Sequence, residues 1–268
     1  MLTDMKEQIL SQISTECPWR DTLYWYDTID STNTRAKALA KEGAPAGTVQ
    51  IAGCQTGGRG RLGRNFSSPV GMGVYLSVIL RPNCKAEQLM HLTCAAAVAA
   101  CQAVEKASGI SPGIKWINDL VCGKEKLGGI LTELSVNASG FVDWAVVGIG
   151  INCCQKKEDF PADIQSLATS LLLQTGKRFP PALLAARLTE ALYTMNDMLD
   201  QKQQIMDIYK QRCITLGQKI LVVRGDESAY GEALDIDGDG GLLVRLSDGT
   251  EKTVTSGEVS VRDMYGYV

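Results

Sequence analysis

The sequence predicts an α/β (α+β) fold, with a mixed sheet flanked by helices in a large domain and a small all-β barrel after it. Three observations predict it. Strand-like and helix-like stretches interleave between residues 23 and 213, the pattern of a sheet covered by helices. After Gly217 the helical period disappears, and short β-rich runs alternate with glycine–aspartate turns. The chain has 268 residues, 45% hydrophobic and 21% charged, enough for one large core and a small one. The organisation expected is an N-terminal extension over residues 1–20, a main domain over 21–215 and a C-terminal domain over 216–268.

Residues 4–14 read as a short amphipathic helix with Met5, Ile9, Leu10 and Ile13 on one side. A loop holding Cys17, Pro18 and Trp19 leads to a strand over 23–26. Ser31 and Thr32 then supply helix-start chemistry, since their hydroxyls accept from unpaired backbone donors. That helix is expected over 34–41, stopping at Gly43. Residues 48–54 and 74–80 are strands, separated by a long glycine- and arginine-rich loop over 57–73. A helix with many alanines is expected over 87–107, its small side chains suiting close packing on a sheet. A strand starts at 114–116, and strands at 130–136 and 144–151 flank a turn at Asn137–Gly140. Residues 181–213 read as helical. Beyond them, runs at 219–224, 230–236, 241–246 and 252–255 are short strands. They are separated by turns at Arg224-Gly225-Asp226, Asp237-Gly238-Asp239-Gly240 and Ser247-Asp248-Gly249.

Composition excludes several classes. A formal net charge of -3 argues against a protein that coats nucleic acid, which needs a strong basic excess. Nine cysteines occur, but the number is odd, Cys153 and Cys154 are adjacent, and no CxxC pair exists. With His91 the sole histidine, a disulfide framework and a zinc site are both disfavoured, and buried free thiols in a reducing cytosol are expected. His91 itself is read as a core or surface residue. The N-terminus carries Asp4 and Glu7 and no apolar core, unlike a signal peptide. No stretch reaches the ~18–20 apolar residues of a membrane span. A soluble cytoplasmic protein is expected.

The segment from Gln55 to Arg64 is the most informative. Gly58, Gly60 and Gly63 satisfy GxGxxG after a strand, yet a dinucleotide turn requires a helix to begin at once. Pro69, Gly71 and Gly73 follow instead, so that reading fails. A basic nucleic-acid patch is a weaker alternative in an acidic chain. The remaining reading is a loop that closes on an anionic ligand. Glycines permit close backbone approach, and arginine forks match phosphate and carboxylate oxygens.

Residues 58–77, GRGRLGRNFSSPVGMGVYLS, resemble the signature GRGRxGRxW of biotin–protein ligases. Lys115-Trp116-Ile117-Asn118-Asp119 resembles that family's KWPND, and residues 126–131, KLGGIL, resemble its K(L/I)xGIL. Asp30-Ser31-Thr32-Asn33 matches its DSTN, and Gly148-Ile149-Gly150-Ile151-Asn152 its G(I/A)GIN. The five stand in the family's order. Glu258-Val259-Ser260-Val261-Arg262 resembles the end of its SH3-like domain. Ile117 replaces the usual proline and Phe66 the usual tryptophan. The roughly twenty residues before Leu23 are too few for the winged-helix DNA-binding domain of some relatives, so the short, enzyme-only form without DNA binding is expected.

The resemblance implies a central domain similar to class II aminoacyl-tRNA synthetases, an SH3-like C-terminal barrel, and two reactions. Biotin is first adenylated by ATP with Mg²⁺; biotin then passes to a lysine of a biotin carboxyl carrier protein domain in a biotin-dependent carboxylase. Biotin and ATP are substrates, and no permanently bound cofactor is expected. Joining two anions calls for placed cations rather than a protein nucleophile. Lys126 is the candidate cation between carboxylate and α-phosphate. Arg61 and Arg59 close the loop over the adenylate, with Arg61 on the acyl-phosphate side, and Arg64 and Phe66 are candidate nucleotide contacts. Ser31, Thr32, Asn33 and Gln55 suit the ureido ring, which is costly to bury without partners. Trp116, Gly129 and the apolar strands line the bicyclic body, and Gly58, Arg59, Gly60, Arg61 and Lys126 are further candidate biotin contacts.

Asn118 and Asp119 suit either Mg²⁺ held with the triphosphate or receipt of a proton from the incoming amine. The residues do not choose between the two. Asn152 resembles the family's adenine contact, with a plain turn residue as the alternative. Lipoate–protein ligase, a biotin-responsive regulator and a non-catalytic binding module remain alternatives. A homodimer is left open.

Overall fold

The computed structural model describes residues 4–224, 227–255 and 260–263. Helix α1 (Met5–Gln12), capped by the Asp4 carboxylate, precedes strand β1 (Leu23–Tyr26). Helix α2 (Thr32–Lys41) starts two residues earlier than the pattern predicts, because Ser31 caps it and accepts from Thr34 N. Strands β2 (Val49–Ala52) and β3 (Gly73–Leu80) flank the glycine–arginine loop. Helix α3 (Leu92–Ser108) begins later than expected: Ala86–Leu89 form a separate 3₁₀ turn, and His91 occupies the cap position. His91 is buried and its Nε2 lies 2.9 Å from the Leu199 carbonyl, so it is a core residue.

Strands β4 (Gly113–Lys115), β5 (Asp119–Cys122), β6 (Glu125–Val136) and β7 (Val142–Asn152) complete the main sheet. Strand β6 begins five residues before the predicted start. Within it Gly128 is a point of close backbone approach: a side chain there would overlap the Gly150 carbonyl oxygen. The short α4 (Leu171–Thr175), capped by Ser170 and ended by Gly176 at φ +69°, has no long apolar period to announce it. The predicted helix over 181–213 is two helices, α5 (Pro181–Asp197) and α6 (Lys202–Arg212).

The main sheet has the order β1-β2-β3-β7-β6-β5-β4. Strands β1 and β2 are parallel and the other pairs antiparallel, so the sheet is mixed. Its two faces differ. Val78 and Leu80 of β3 join the large core under α3, α5 and α1. Ile79 and Val146 face the other way and pack with Ala36 and Ala40 of α2. Ser77, Gly148, Gly150 and Asn152 share the α2 side by strand alternation, and that side carries the cleft described below.

A second, antiparallel sheet follows, built of β8 (Lys219–Arg224), β9 (Glu227–Ile236), β10 (Leu242–Leu246), β11 (Glu251–Val254) and β12 (Ser260–Asp263) in the order β11-β10-β9-β8-β12. Gly225 and Asp226 of one predicted turn, and Glu258 and Val259 of the C-terminal motif, lie outside the described residues. The turn at 237–241 seats on the main domain. There Gly240 O accepts from Trp116 Nε1 at 2.8 Å, and Asp239 pairs with Lys202. All nine cysteines are free. Burial pushes the thiol of Cys101 up to about 12 and that of Cys122 up to about 11. Among the described residues no helix is long and apolar enough to cross a membrane.

Candidate active site

A cleft of about 240 Å³ opens on the α2 side of the main sheet. Its floor is the middle of β6 and β7, its rim the loop between β2 and β3, and its far wall the segment carrying Phe160, Ile164, Leu167 and Ala168. The floor is flat because of two glycines. A side chain at Gly148 would overlap Asn33 Oδ1, and one at Gly150 would meet the Phe66 ring.

One end of the cleft is polar and buried. Gln55 Oε1 accepts from Thr32 N at 2.8 Å and from Thr32 Oγ1 at 3.1 Å, while Gln55 Nε2 donates to Ser68 Oγ at 3.0 Å. Ser77 Oγ lies 2.7 Å from Thr32 Oγ1 and 2.6 Å from Asn33 Oδ1. Asn33 Nδ2 donates to Glu133 Oε2 at 2.9 Å and to Leu131 O at 3.3 Å. Thr32, Asn33 and Ser77 are each at most 5% exposed, so every one of these bonds matters to the folded state.

The other end is cationic. Lys126 Nζ pairs with Asp119 Oδ1 at 2.7 Å. Arg61 reaches across from the loop, and its Nη1 donates to Asn118 Oδ1 at 3.0 Å. Burial pulls the Arg61 guanidinium below its ordinary value, and Asp119 opposes that shift. Asn118 is itself fixed, donating through Nδ2 to Ile130 O at 3.0 Å. Lys126 is fixed through its backbone: its N–H donates to Leu167 O at 2.7 Å, and its carbonyl accepts from Thr169 N at 2.8 Å. Among the described residues, Arg59, Arg61, Arg64 and Lys126 line the cleft with Asp119 as the one carboxylate. Four cations and one carboxylate suit a polyanion. Among the described residues no cluster of three potential metal ligands occurs. Asn118 and Asp119 are the adjacent side-chain oxygens that a divalent ion carried by a phosphate chain would meet in this cleft.

Of the site residues named from sequence, Ser31, Thr32, Asn33, Gln55, Arg59, Gly60, Arg61, Arg64, Phe66, Asn118, Asp119, Lys126, Gly129 and Asn152 all line this cleft. Two do not. Trp116 was expected against the bicyclic body, but it is only 4% exposed and turned toward the C-terminal sheet, with Nε1 on Gly240 O and its backbone N–H on Thr215 Oγ1 at 2.9 Å. An indole seeks an acceptor when buried, and that acceptor belongs to the second domain. Gly58 faces a neighbouring cavity of about 580 Å³ and holds the loop closed, its carbonyl accepting from Phe66 N at 2.9 Å. Asn152 lines the cleft while donating to Thr169 O at 3.0 Å and accepting from Gln155 Nε2 at 3.1 Å. Residues missed from sequence include Ser77, Glu133, Gly148, Gly150 and the wall at 160–168. The alternation Gly148-x-Gly150-x-Asn152 was the available signal, since residues two apart on a strand share a face.

The fold and both of its parts are shared with known proteins. Residues 25–152 match the Biotin/lipoate A/B protein ligase family, and residues 215–262 match the Biotin protein ligase C terminal domain. The chain is 35% identical over 233 residues to the bifunctional ligase/repressor BirA of Bacillus subtilis, covering 86% of this chain and 71% of the relative. It is 33% identical over 237 residues to a biotin–[acetyl-CoA-carboxylase] ligase of Mycobacterium tuberculosis, covering 85% of each. The structure of an Aquifex aeolicus biotin protein ligase in complex with biotin and ATP superposes with a TM-score of 0.76 at 29% identity, over 90% of this chain and 98% of that one. With matching motifs, matching domains and a matching fold, the chain belongs to the biotin protein ligase family.

Proposed function

We propose that this protein is an ATP-dependent ligase that forms biotinyl-5′-AMP and transfers biotin to a lysine of a carrier domain. The carrying observation is the cleft's division into two chemistries. A buried hydrogen-bonding end suits a cyclic urea, and a cationic end suits a carboxylate meeting a triphosphate. A lipoyl dithiolane has no hydrogen bonds to offer Thr32, Asn33 and Gln55, so the polar end favours biotin over lipoate.

Residues 21–215 form the catalytic domain in this reading and 216–268 the C-terminal domain. Ser31, Thr32, Asn33 and Gln55 hold the ring. Lys126 lies between the carboxylate and the α-phosphate, already drawn into place by Asp119. Arg59, Arg61 and Arg64 bind phosphate oxygens, and Phe66, over Gly150, and Asn152 bound the nucleotide. MgATP is the substrate form, its metal carried largely by the triphosphate. When the incoming lysine attacks the anhydride, Asp119 takes its proton, being among the described residues the one carboxylate lining the cleft. The acceptor is a biotin carboxyl carrier domain of a carboxylase, and the site of action is the cytoplasm.

The test is pyrophosphate release with MgATP and either biotin or lipoate, followed by mass analysis of an apo carrier domain. Release with biotin only, and one biotinyl increment on a carrier lysine, is expected. Release with lipoate only would reassign the substrate, and none with either acid would sink the enzymatic reading.

A further inference from the structure

The run 165–169, which ends the far wall of the cleft, lies beside Lys126 like a short added strand. Lys126 and Ala168 are bridged in parallel, Lys126 N donates to Leu167 O at 2.7 Å, and Thr169 N donates to Lys126 O at 2.8 Å. The same run also holds an amide of the cleft, because Thr169 O accepts from Asn152 Nδ2 at 3.0 Å. Lys126 and Asn152 therefore take their spacing from one stretch of backbone. That stretch is braced by a side chain that is not among those lining the cleft. Lys157 opens the 3₁₀ turn Lys157–Asp159 that leads into the wall. Its Nζ donates to Ala168 O at 2.9 Å and to Gln165 O at 3.2 Å, and pairs with Glu125, the neighbour of Lys126 on β6. Three ammonium protons thus meet three acceptors, two on the wall and one on the strand. A solvent-facing ion pair by itself contributes little. The two main-chain carbonyls turn this one into a cross-link between wall and strand.

We infer that Lys157 is a positioning residue for adenylate formation: it clamps the run 165–169 to β6 and so sets the spacing between Lys126, at the α-phosphate, and Asn152, at the nucleotide. This inference rests on the ligase reading above and adds to it a residue outside the cleft. The ring end stands apart from the clamp. Thr32 and Asn33 are held by Gln55, Ser77, Leu131 and Glu133, none of which belongs to the run 165–169. Loosening the clamp therefore acts on the step that joins carboxylate to phosphate, where a displacement of about 1 Å can cost about 100-fold in rate, and leaves the ring site as it is.

The experiment uses the full chain as the parent and as Lys157→Met, Lys157→Arg and Glu125→Gln. Biotin-dependent pyrophosphate release gives kcat and the KM for ATP, calorimetry gives the dissociation constant for biotin, and a melting curve gives the folded fraction. Lys157→Met keeps the stem and loses the donors, and its kcat/KM for ATP falls by about 10- to 100-fold while biotin binds as tightly as before. Lys157→Arg restores donors to the same carbonyls and stays within about 3-fold of the parent. Glu125→Gln leaves both carbonyl bonds in place and likewise loses less than about 3-fold. Unchanged kinetics in Lys157→Met overturn the inference. So does a loss in Glu125→Gln as large as in Lys157→Met, which would mark a plain ion pair. A fall in biotin affinity or in folded fraction that matches the fall in kcat/KM overturns it too, since the residue would then serve general stability. Failure of the parent to release pyrophosphate with biotin would instead refute the function proposed above.

Discussion

The two ends of the cleft are built differently. The polar end lies on regular elements, with Thr32 and Asn33 on the first turn of α2 and Ser77 on β3, each side chain already bonded within the protein, and Gly148 on β7 leaving room for the Asn33 amide. The loop at the other end is held mainly by backbone pairing, Gly60 N to Arg64 O at 2.7 Å and Phe66 N to Gly58 O, with Arg61–Asn118 as a side-chain anchor. At its tip Leu62 is 68% exposed and lies in the left-handed region at φ 56°, a conformation that costs a non-glycine residue about 1–2 kcal/mol. A rigid end selects by prior arrangement, whereas a loosely held end can move over a reactive intermediate and exclude water from it.

The largest effect is expected where the cationic end does chemistry. Lys126→Ala should lower biotin-dependent pyrophosphate release by about 1,000-fold, with the melting temperature within about 2 °C of the parent. The strand survives because the bonds to Leu167 and Thr169 are made by the Lys126 backbone. Near-normal release would remove Lys126 from the reaction. Next is the loop. Arg61→Gly should let the anhydride escape and raise labelling of bystander lysines by about 10- to 100-fold, read by avidin blot of added albumin. Unchanged labelling would mean the loop does not retain the intermediate.

The rigid end should respond in stability as well as binding. Gly148→Ala puts a methyl where the thrice-bonded Asn33 amide sits and should cost about 1–3 kcal/mol in urea unfolding, with a raised KM for biotin. A neutral result would show that the polar end is as pliable as the loop. The smallest effect is expected at the domain contact. Trp116→Phe removes the donor to Gly240 O and keeps most of the ring. It should cost about 1 kcal/mol and lower turnover less than 10-fold, because Trp116 leads directly into Asn118 and Asp119. A rise in the KM for biotin alone would return Trp116 to the ring site.

Much of the site was legible because its chemistry demands rare local composition. Arginine among glycines between Gly57 and Arg64, and lysine ahead of Gly128-Gly129, have few uses other than close approach to an anion. Trp116 was misjudged because nothing local tells which domain supplies the acceptor for a buried indole. Glu133 was invisible for a related reason. A glutamate in an alternating strand reads as a solvated residue, and only the pairing of β6 with β7 and the approach of α2 place it against Asn33.

By itself, the sequence determined the succession of strands and helices, the change of character after Gly217, the family and most residues of the cleft. Periodicity, turn chemistry and charge act over a few residues and are written locally. Tertiary structure alone decided the strand order, which brings Ser31–Asn33 against β3 and β6, about 45 and 100 residues away in the chain. It also decided the rotation of Trp116 toward the second domain, and the direction in which each buried proton points. Those depend on which distant groups meet, and burial leaves each of them one way to satisfy its hydrogen bonds.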